Sequence, residues 1–195
     1  MRQRSVHLFR RIAPHLPVEG TIADIGSGTG HNAEQLRQAT HLTVNEFDVA
    51  DLHWVGPGPI MLEGTAIPAQ DQAFASLLLL YVLQYPESVP TLLREARRVT
   101  RGTVIVVQST YSGRFGLLVL RLREFVWGRL AFSLAAWARL VQSKRCPLVP
   151  HHFFTRQELV NAFQSSGFNV RALETLNWPG LNVSRDLFVL ERSPR

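Results

Sequence analysis

The chain has a single cysteine, Cys146, among 195 residues. One thiol excludes an internal disulfide and a thiolate metal cluster, and it suits a reducing compartment. Acidic residues are scarce in two places. None precedes Glu19, so the four arginines of residues 1–16 stand unopposed, and between residues 112 and 145 only Glu124 faces seven basic side chains. The first 16 residues also lack the unbroken apolar stretch of a secretory signal. Val6, Leu8, Phe9, Ile12 and Leu16 recur at roughly helical spacing, which predicts a first helix packing on the sheet, and the single thiol and missing secretory signal make a cytoplasmic location the expectation. Repeats, linkers and low-complexity tracts are missing too, and with 46% hydrophobic residues the chain reads as one domain, 1–195.

The net charge of +6 lies entirely in residues 112–145, because the rest of the chain holds 14 basic and 14 acidic residues. Within that segment Gly116 to Leu140 is long and apolar enough to suggest a membrane span, but Arg121, Arg123, Glu124, Arg129 and Arg139 interrupt it. Each charge at a bilayer centre costs about 2.5–3.5 kcal/mol, which argues against a span. The segment instead predicts a basic, apolar helical insertion or lid at about 112–150, with a peripheral contact at the inner membrane surface through 112–145 as its functional reading.

Elsewhere short apolar runs alternate with helical patterns, the mark of βαβ units and a parallel sheet. Strands are predicted at Thr21–Ile25, His41–Phe47, Pro59–Glu63, Phe74–Leu80, Gly102–Gln108, Phe168–Thr175 and Asp186–Glu191. Leu77–Leu80 and Thr103–Val107 are continuously apolar, as central strands covered on both faces should be. Helices fit at Thr29–Ala39, Glu87–Val99 and Thr155–Ser166, the last opened by a Thr155/Glu158 capping box. Gly56, Pro57, Gly58 and Pro59 crowd the link between strands two and three, so its crossover helix should be very short.

The chemistry concentrates in Ala23-Asp24-Ile25-Gly26-Ser27-Gly28-Thr29-Gly30, an acid and alternating glycines directly after the first strand. At this position in an open α/β sheet a glycine turn lets backbone approach a nucleoside-type ligand. The dinucleotide fingerprint needs a third glycine or alanine where this chain has His31, which weakens a nicotinamide reading.

An acid two before Gly26 and glycines at 26, 28 and 30 resemble motif I of the class I S-adenosylmethionine-dependent methyltransferases. Ile67 to Phe74, Leu79 to Tyr85, Leu92 to Ala96, Arg98 to Gly102, Phe153-Phe154-Thr155, Glu158-Leu159 and Gly167-Phe168 resemble the small-molecule branch often called type 11. The resemblance implies a Rossmann-like, doubly wound seven-stranded sheet, mostly parallel with the last strand antiparallel, and a helical insertion after strand five. It implies S-adenosyl-L-methionine as cofactor, no metal, and a cofactor site at Asp24, Gly26, Ser27, Gly28 and Gly30. Asp48, 18 residues past Gly30, matches the acid that binds both ribose hydroxyls, with Glu46 a competitor for the role. Gly64-Thr65-Ala66 stands where the family carries Gly-Asp-Ala, so Thr65 and Ala66 would meet the adenine; Tyr81 completes the cofactor set.

Methyl transfer from a sulfonium needs alignment and exclusion of water more than covalent help, and at most one base. Tyr81, Gln84, Tyr85, Gln108, Ser109, Tyr111, His151 and His152 ring the strand ends, and His151, His152 and Tyr81 are the catalytic candidates. An Asn/Asp-Pro-Pro-aromatic signature, usual in the family's nucleic-acid amino methyltransferases, is replaced by Leu80-Tyr81-Val82-Leu83-Gln84-Tyr85, so no nucleic-acid partner is expected. The expected acceptor is a small apolar or amphiphilic molecule: a lipid, quinone, isoprenoid or tetrapyrrole. The rivals are an inert S-adenosylmethionine-binding or regulatory protein, encouraged by Thr65 and by Ala75 where aspartate is common, and an NAD(P)-dependent reductase.

Overall fold

The computed structural model describes residues 2–126 and 150–194. In chain order its elements are α1 (Arg2–Ile12), a 3-10 turn (Ala13–His15), β1 (Thr21–Ile25), α2 (His31–Ala39), β2 (Thr43–Asp48), β3 (Ile60–Met61), β4 (Phe74–Leu80), α3 (Val89–Val99), β5 (Thr100–Tyr111), α4 (Gly113–Glu124), α5 (Arg156–Ser165), β6 (Phe168–Gly180) and β7 (Val183–Arg192). The strands form a seven-stranded sheet in the order β3-β2-β1-β4-β5-β7-β6. β1 to β5 pair in parallel, and β7 runs antiparallel to both β5 and β6. This is the Rossmann-like methyltransferase order, with the chain reversing direction across the sheet between β1 and β4.

Both faces are covered, which explains the unbroken apolar runs. Leu77 and Leu79 of β4 and Val104 and Val106 of β5 pack into one core with Leu92 and Leu93 of α3 and Leu159 and Phe163 of α5. Their neighbours Leu78, Leu80, Ile105 and Val107 pack into the other with Ile12 of α1 and Ala33 and Leu36 of α2. With side chains alternating between faces, a strand can be apolar at every position only when helices lie on both sides.

Three expectations need correction. The strands two-to-three link contains no helix: residues 49–59 run as bends, because Asp48 Oδ1 accepts the Val49 and Ala50 amides at 2.7 and 3.3 Å and turns the chain at once. β3 shrinks to two exposed residues at the sheet edge. β6 extends to Gly180 because it forms a long hairpin with β7, whose partner register the short apolar run of residues 168–175 did not reveal. Of the predicted insertion, α4 is described and residues 127–149 lie outside the described residues.

The capping box forms as the spacing predicts. Thr155 Oγ1 accepts the Glu158 amide at 3.2 Å while Glu158 Oε2 accepts the Thr155 amide at 2.7 Å. Thr155→Ala is expected to lower unfolding free energy by about 0.5–2 kcal/mol. A urea midpoint equal to that of the unmodified chain would refute this role, and Thr155→Ser should restore most of the loss.

Candidate functional site

Register makes the first half of the site. β1 and β2 run parallel with Asp24 beside Glu46, and Asp48 follows two residues on, on the same face. All three carboxylates are buried, Asp24 at 1% exposure. Glu46 is bonded on both oxygens, by Arg37 Nη2 at 2.6 Å and His53 Nε2 at 2.6 Å. Asp48 receives backbone: its Oδ2 accepts the Gly28 amide at 2.8 Å, and its Oδ1 takes the two amides of the following turn. Neither oxygen of Asp24 has a hydrogen-bond partner among the described residues. Burial, then the charges of Glu46 and Asp48, push its carboxyl up from 3.8 to about 8, against a smaller downward pull from Arg37.

The glycine loop sits directly over this cluster. The Gly26 and Ser27 amides donate to the Phe47 carbonyl at 2.7 and 3.2 Å, so the loop is tied to the end of β2. Gly26 has φ 71, and a Cβ there would approach Val82 Cγ2 to 2.6 Å; at Gly30, φ 77, it would run into the Val55 carbonyl oxygen and His53. Both positions require glycine on two counts. At Gly28 an added Cβ would meet nothing nearer than the Gly26 carbonyl oxygen at 4.0 Å, so that side of the loop is open. Ser27 is buried, with its hydroxyl 3.5 Å from His53 Nε2. Thr65 and Ala66 lie in the turn after β3, beside Gly64 at φ 67. Tyr81, directly after β4, has φ 62, and its backbone N–H donates to the Val107 carbonyl at 2.7 Å. A tyrosine in that conformation stores strain of order 1–3 kcal/mol, which clusters at functional positions.

The second half is built at the ends of β4 and β5. Gln108 Nε2 donates to Gln84 Oε1 at 3.1 Å, and the Gln84 carbonyl accepts the amides of His151 and His152 at 2.7 and 3.2 Å. The Tyr111 amide donates to the Phe154 carbonyl at 3.0 Å, which draws residues 151–154 along the end of β5. His152 Nε2 donates to the Pro86 carbonyl at 3.0 Å, and its ring stacks on Phe154 with centroids 5.8 Å apart. His151 is exposed at the rim. Together with α4 these residues border an open cavity of about 440 Å³ lined by Tyr111, Leu117, Arg121, His151, His152, Phe153, Phe154 and Glu158. Tyr81 is not part of that lining.

The structure thus brings Asp24, Glu46, Asp48 and the loop together, and separately His151, His152 and Tyr111. Sequence reasoning missed Arg37 and His53, which hold Glu46. Arg37 sits on a helix and His53 in a loop, and neither has a spacing that announces its partner. Arg121 as a cavity residue was also missed, though the concentration of charge had marked its segment.

A family model described as a methyltransferase domain matches residues 1–173. Among curated proteins, malonyl-[acyl-carrier protein] O-methyltransferase of Halorhodospira halophila is 27% identical over 129 aligned positions, covering 57% of this chain and 41% of that protein, so the chain spans less than half of that relative's length. Among solved structures, a SAM-dependent methyltransferase from Methanosarcina mazei superposes with a TM-score of 0.63 at 15% identity, covering 95% of this chain and 98% of its own. Geranyl diphosphate C-methyltransferase of Streptomyces coelicolor A3(2), solved with geranyl diphosphate and S-adenosyl-L-homocysteine, gives a TM-score of 0.65 at 11% identity, covering 96% and 77%. The chain therefore belongs to the methyltransferase-domain family, and its fold is that of the class I, S-adenosylmethionine-dependent methyltransferases.

Proposed function

We propose that the chain takes S-adenosyl-L-methionine at the loop of residues 24–30 and methylates a small amphiphilic molecule held between α4 and residues 151–154. The observation that carries the donor half is the charge balance beneath the loop. Three buried carboxylates cluster there: Glu46 is paired with Arg37 and His53, and Asp24 has no hydrogen-bond partner among the described residues. Such a cluster favours a cationic ligand and repels a pyrophosphate, which supports the methyl donor over a nicotinamide dinucleotide. The residues fit the donor: Asp24 offers its carboxylate to the ammonium end, Gly28 leaves open space, and Gly26, Ser27 and Gly30 present backbone rather than bulk. Asp48 is assigned a ribose hydroxyl, since a carboxylate has about four acceptor positions and its three amide donors leave one free. Glu46, with both oxygens taken, is the supporting acid. Thr65, Ala66 and Tyr81 flank the adenine side in this assignment. The bound donor supplies a methyl group on a sulfonium that carries its own leaving group.

What the protein adds is alignment and dryness, worth up to about 7–11 kcal/mol. Leu117, Phe153, Phe154 and Tyr111 give the cavity apolar walls, while Arg121, His151, His152 and Glu158 give it a polar end that includes the Arg121 guanidinium. That pairing supports an acceptor with an apolar body and an anionic or hydroxyl head, in the class of a lipid, quinone, isoprenoid or tetrapyrrole acid. The named substrates of two relatives, a malonyl carrier and geranyl diphosphate, share an anionic end. His151 is assigned the base, because its ring is exposed to the cavity whereas His152 is fixed by Pro86 and Phe154. Formation of S-adenosylhomocysteine from the donor when cell extract supplies the acceptor tests the whole reading; binding without turnover would leave only the inert binder.

Three outcomes are expected. The folded protein holds a proton on Asp24 up to about pH 8, which the unfolded chain releases near its ordinary 3.8. Stability contributed by this group therefore falls as pH rises from about 4 to about 8, and levels off above. Thermal melting of the ligand-free chain should show that decline and Asp24→Asn should flatten it; donor affinity should rise across the same interval in the parent and lose the dependence in the variant. Asp48→Asn should weaken donor binding by about 1.5–3 kcal/mol in calorimetry, more than Glu46→Gln does; the reverse order would transfer the ribose to Glu46. His151→Gln should cut kcat by about a hundredfold or more while leaving donor affinity intact; an unchanged kcat would remove the base from the mechanism.

A further inference from the structure

Helix α4 and the two residues after it carry an apolar stripe that is exposed among the described residues. Phe115, Leu118, Leu122 and Phe125 are 54, 61, 59 and 55% exposed, and Val126 is 36% exposed. At about 100° per residue Phe115, Leu118 and Leu122 fall within an arc of roughly 60°, with Arg114 and Arg121 along one edge, and Phe125 and Val126 continue the exposed run just past the helix. The helix is held in this orientation by its other side. Leu120 is buried, Gly116 lies so close to the Asn182 carbonyl that a Cβ would collide with it, and Arg123 Nη2 donates to Ser109 Oγ at 3.2 Å. Five large apolar side chains in one strip exceed the scattered apolar residues of an ordinary surface, and mark a contact with something apolar.

The charge identifies what. The segment 112–145 carries all of the net +6, while the remainder of the chain is neutral. An apolar arc edged by arginines matches a boundary where acyl chains lie beneath anionic headgroups. None of the described helices is long and apolar enough to cross a membrane, so the contact is one of lying on the surface. We infer that α4 docks this protein on an anionic lipid surface through Phe115, Leu118, Leu122 and Phe125. Leu117 and Arg121, on the edge of the same helix, line the cavity. Docking therefore sets the cavity mouth at the headgroup boundary, where an amphiphilic acceptor enters from the lipid; this last step rests on the methyl-transfer reading above, whereas the docking itself does not.

The test is flotation of the full chain with phosphatidylcholine vesicles, with and without phosphatidylglycerol, at low and high salt. The parent should float with the phosphatidylglycerol vesicles at low salt and be released by high salt. Leu118→Glu/Leu122→Glu should lose binding by about tenfold or more while titrating with S-adenosylmethionine as the parent does, which shows that it folds. Failure of the parent to float at low salt, or equal flotation of the variant, overturns the inference. So does a parent that sediments as a dimer and becomes a monomer on the double substitution, since a second copy would then own the stripe. Vesicle binding by a parent that does not take up S-adenosylmethionine would sink the methyl-transfer reading and leave the docking standing.

Discussion

The arrangement depends on burying three carboxylates where two parallel strands end. In-register pairing of β1 and β2 sets Asp24 beside Glu46, and the two-residue repeat of a strand sends Asp48 to the same side. Like charges this close are tolerable only when each is answered. Glu46 is answered by Arg37 and His53, Asp48 by backbone amides, and Asp24 by holding its proton. Because the Gly28 amide is one of Asp48's donors, the same electrostatics shapes the glycine loop. Fold and the proposed cofactor site therefore rest on one local balance, in which Asp24 alone of the three acids has no hydrogen-bond partner among the described residues.

A second chain of contacts transmits the sheet's geometry to the proposed acceptor side. Gln108 on β5 reaches Gln84 after β4, and Gln84 holds the backbone of both histidines. These are amide and carbonyl contacts in a buried setting, where geometry is fixed more tightly than on a surface loop. The cavity wall opposite is α4, so one helix borders the site on its edge and turns its apolar stripe to the outside.

The sheet was legible in the sequence because its central strands are apolar at every position and a capping box marks the start of its last helix, α5. β1 and β4 match the expected bounds. What escaped was of two kinds. The missing helix after β2 reflects side-chain capping by Asp48, a competition between local bonds and helix that apolar periodicity does not register. Arg37 and His53 escaped because long-range charge pairing depends on which strands lie side by side, and that is known only from the folded sheet. The glycine spacing, by contrast, was readable because positive φ and close approach allow almost no other residue.

The central claim is that the loop over these carboxylates selects a cationic nucleoside and rejects a dinucleotide phosphate. Calorimetric titration of the purified chain at pH 8 with S-adenosylmethionine, and separately with NADH, puts it to the test. Saturable binding of the first and no binding of the second is the predicted result. Saturation by NADH, or silence toward S-adenosylmethionine in a folded protein, would contradict it.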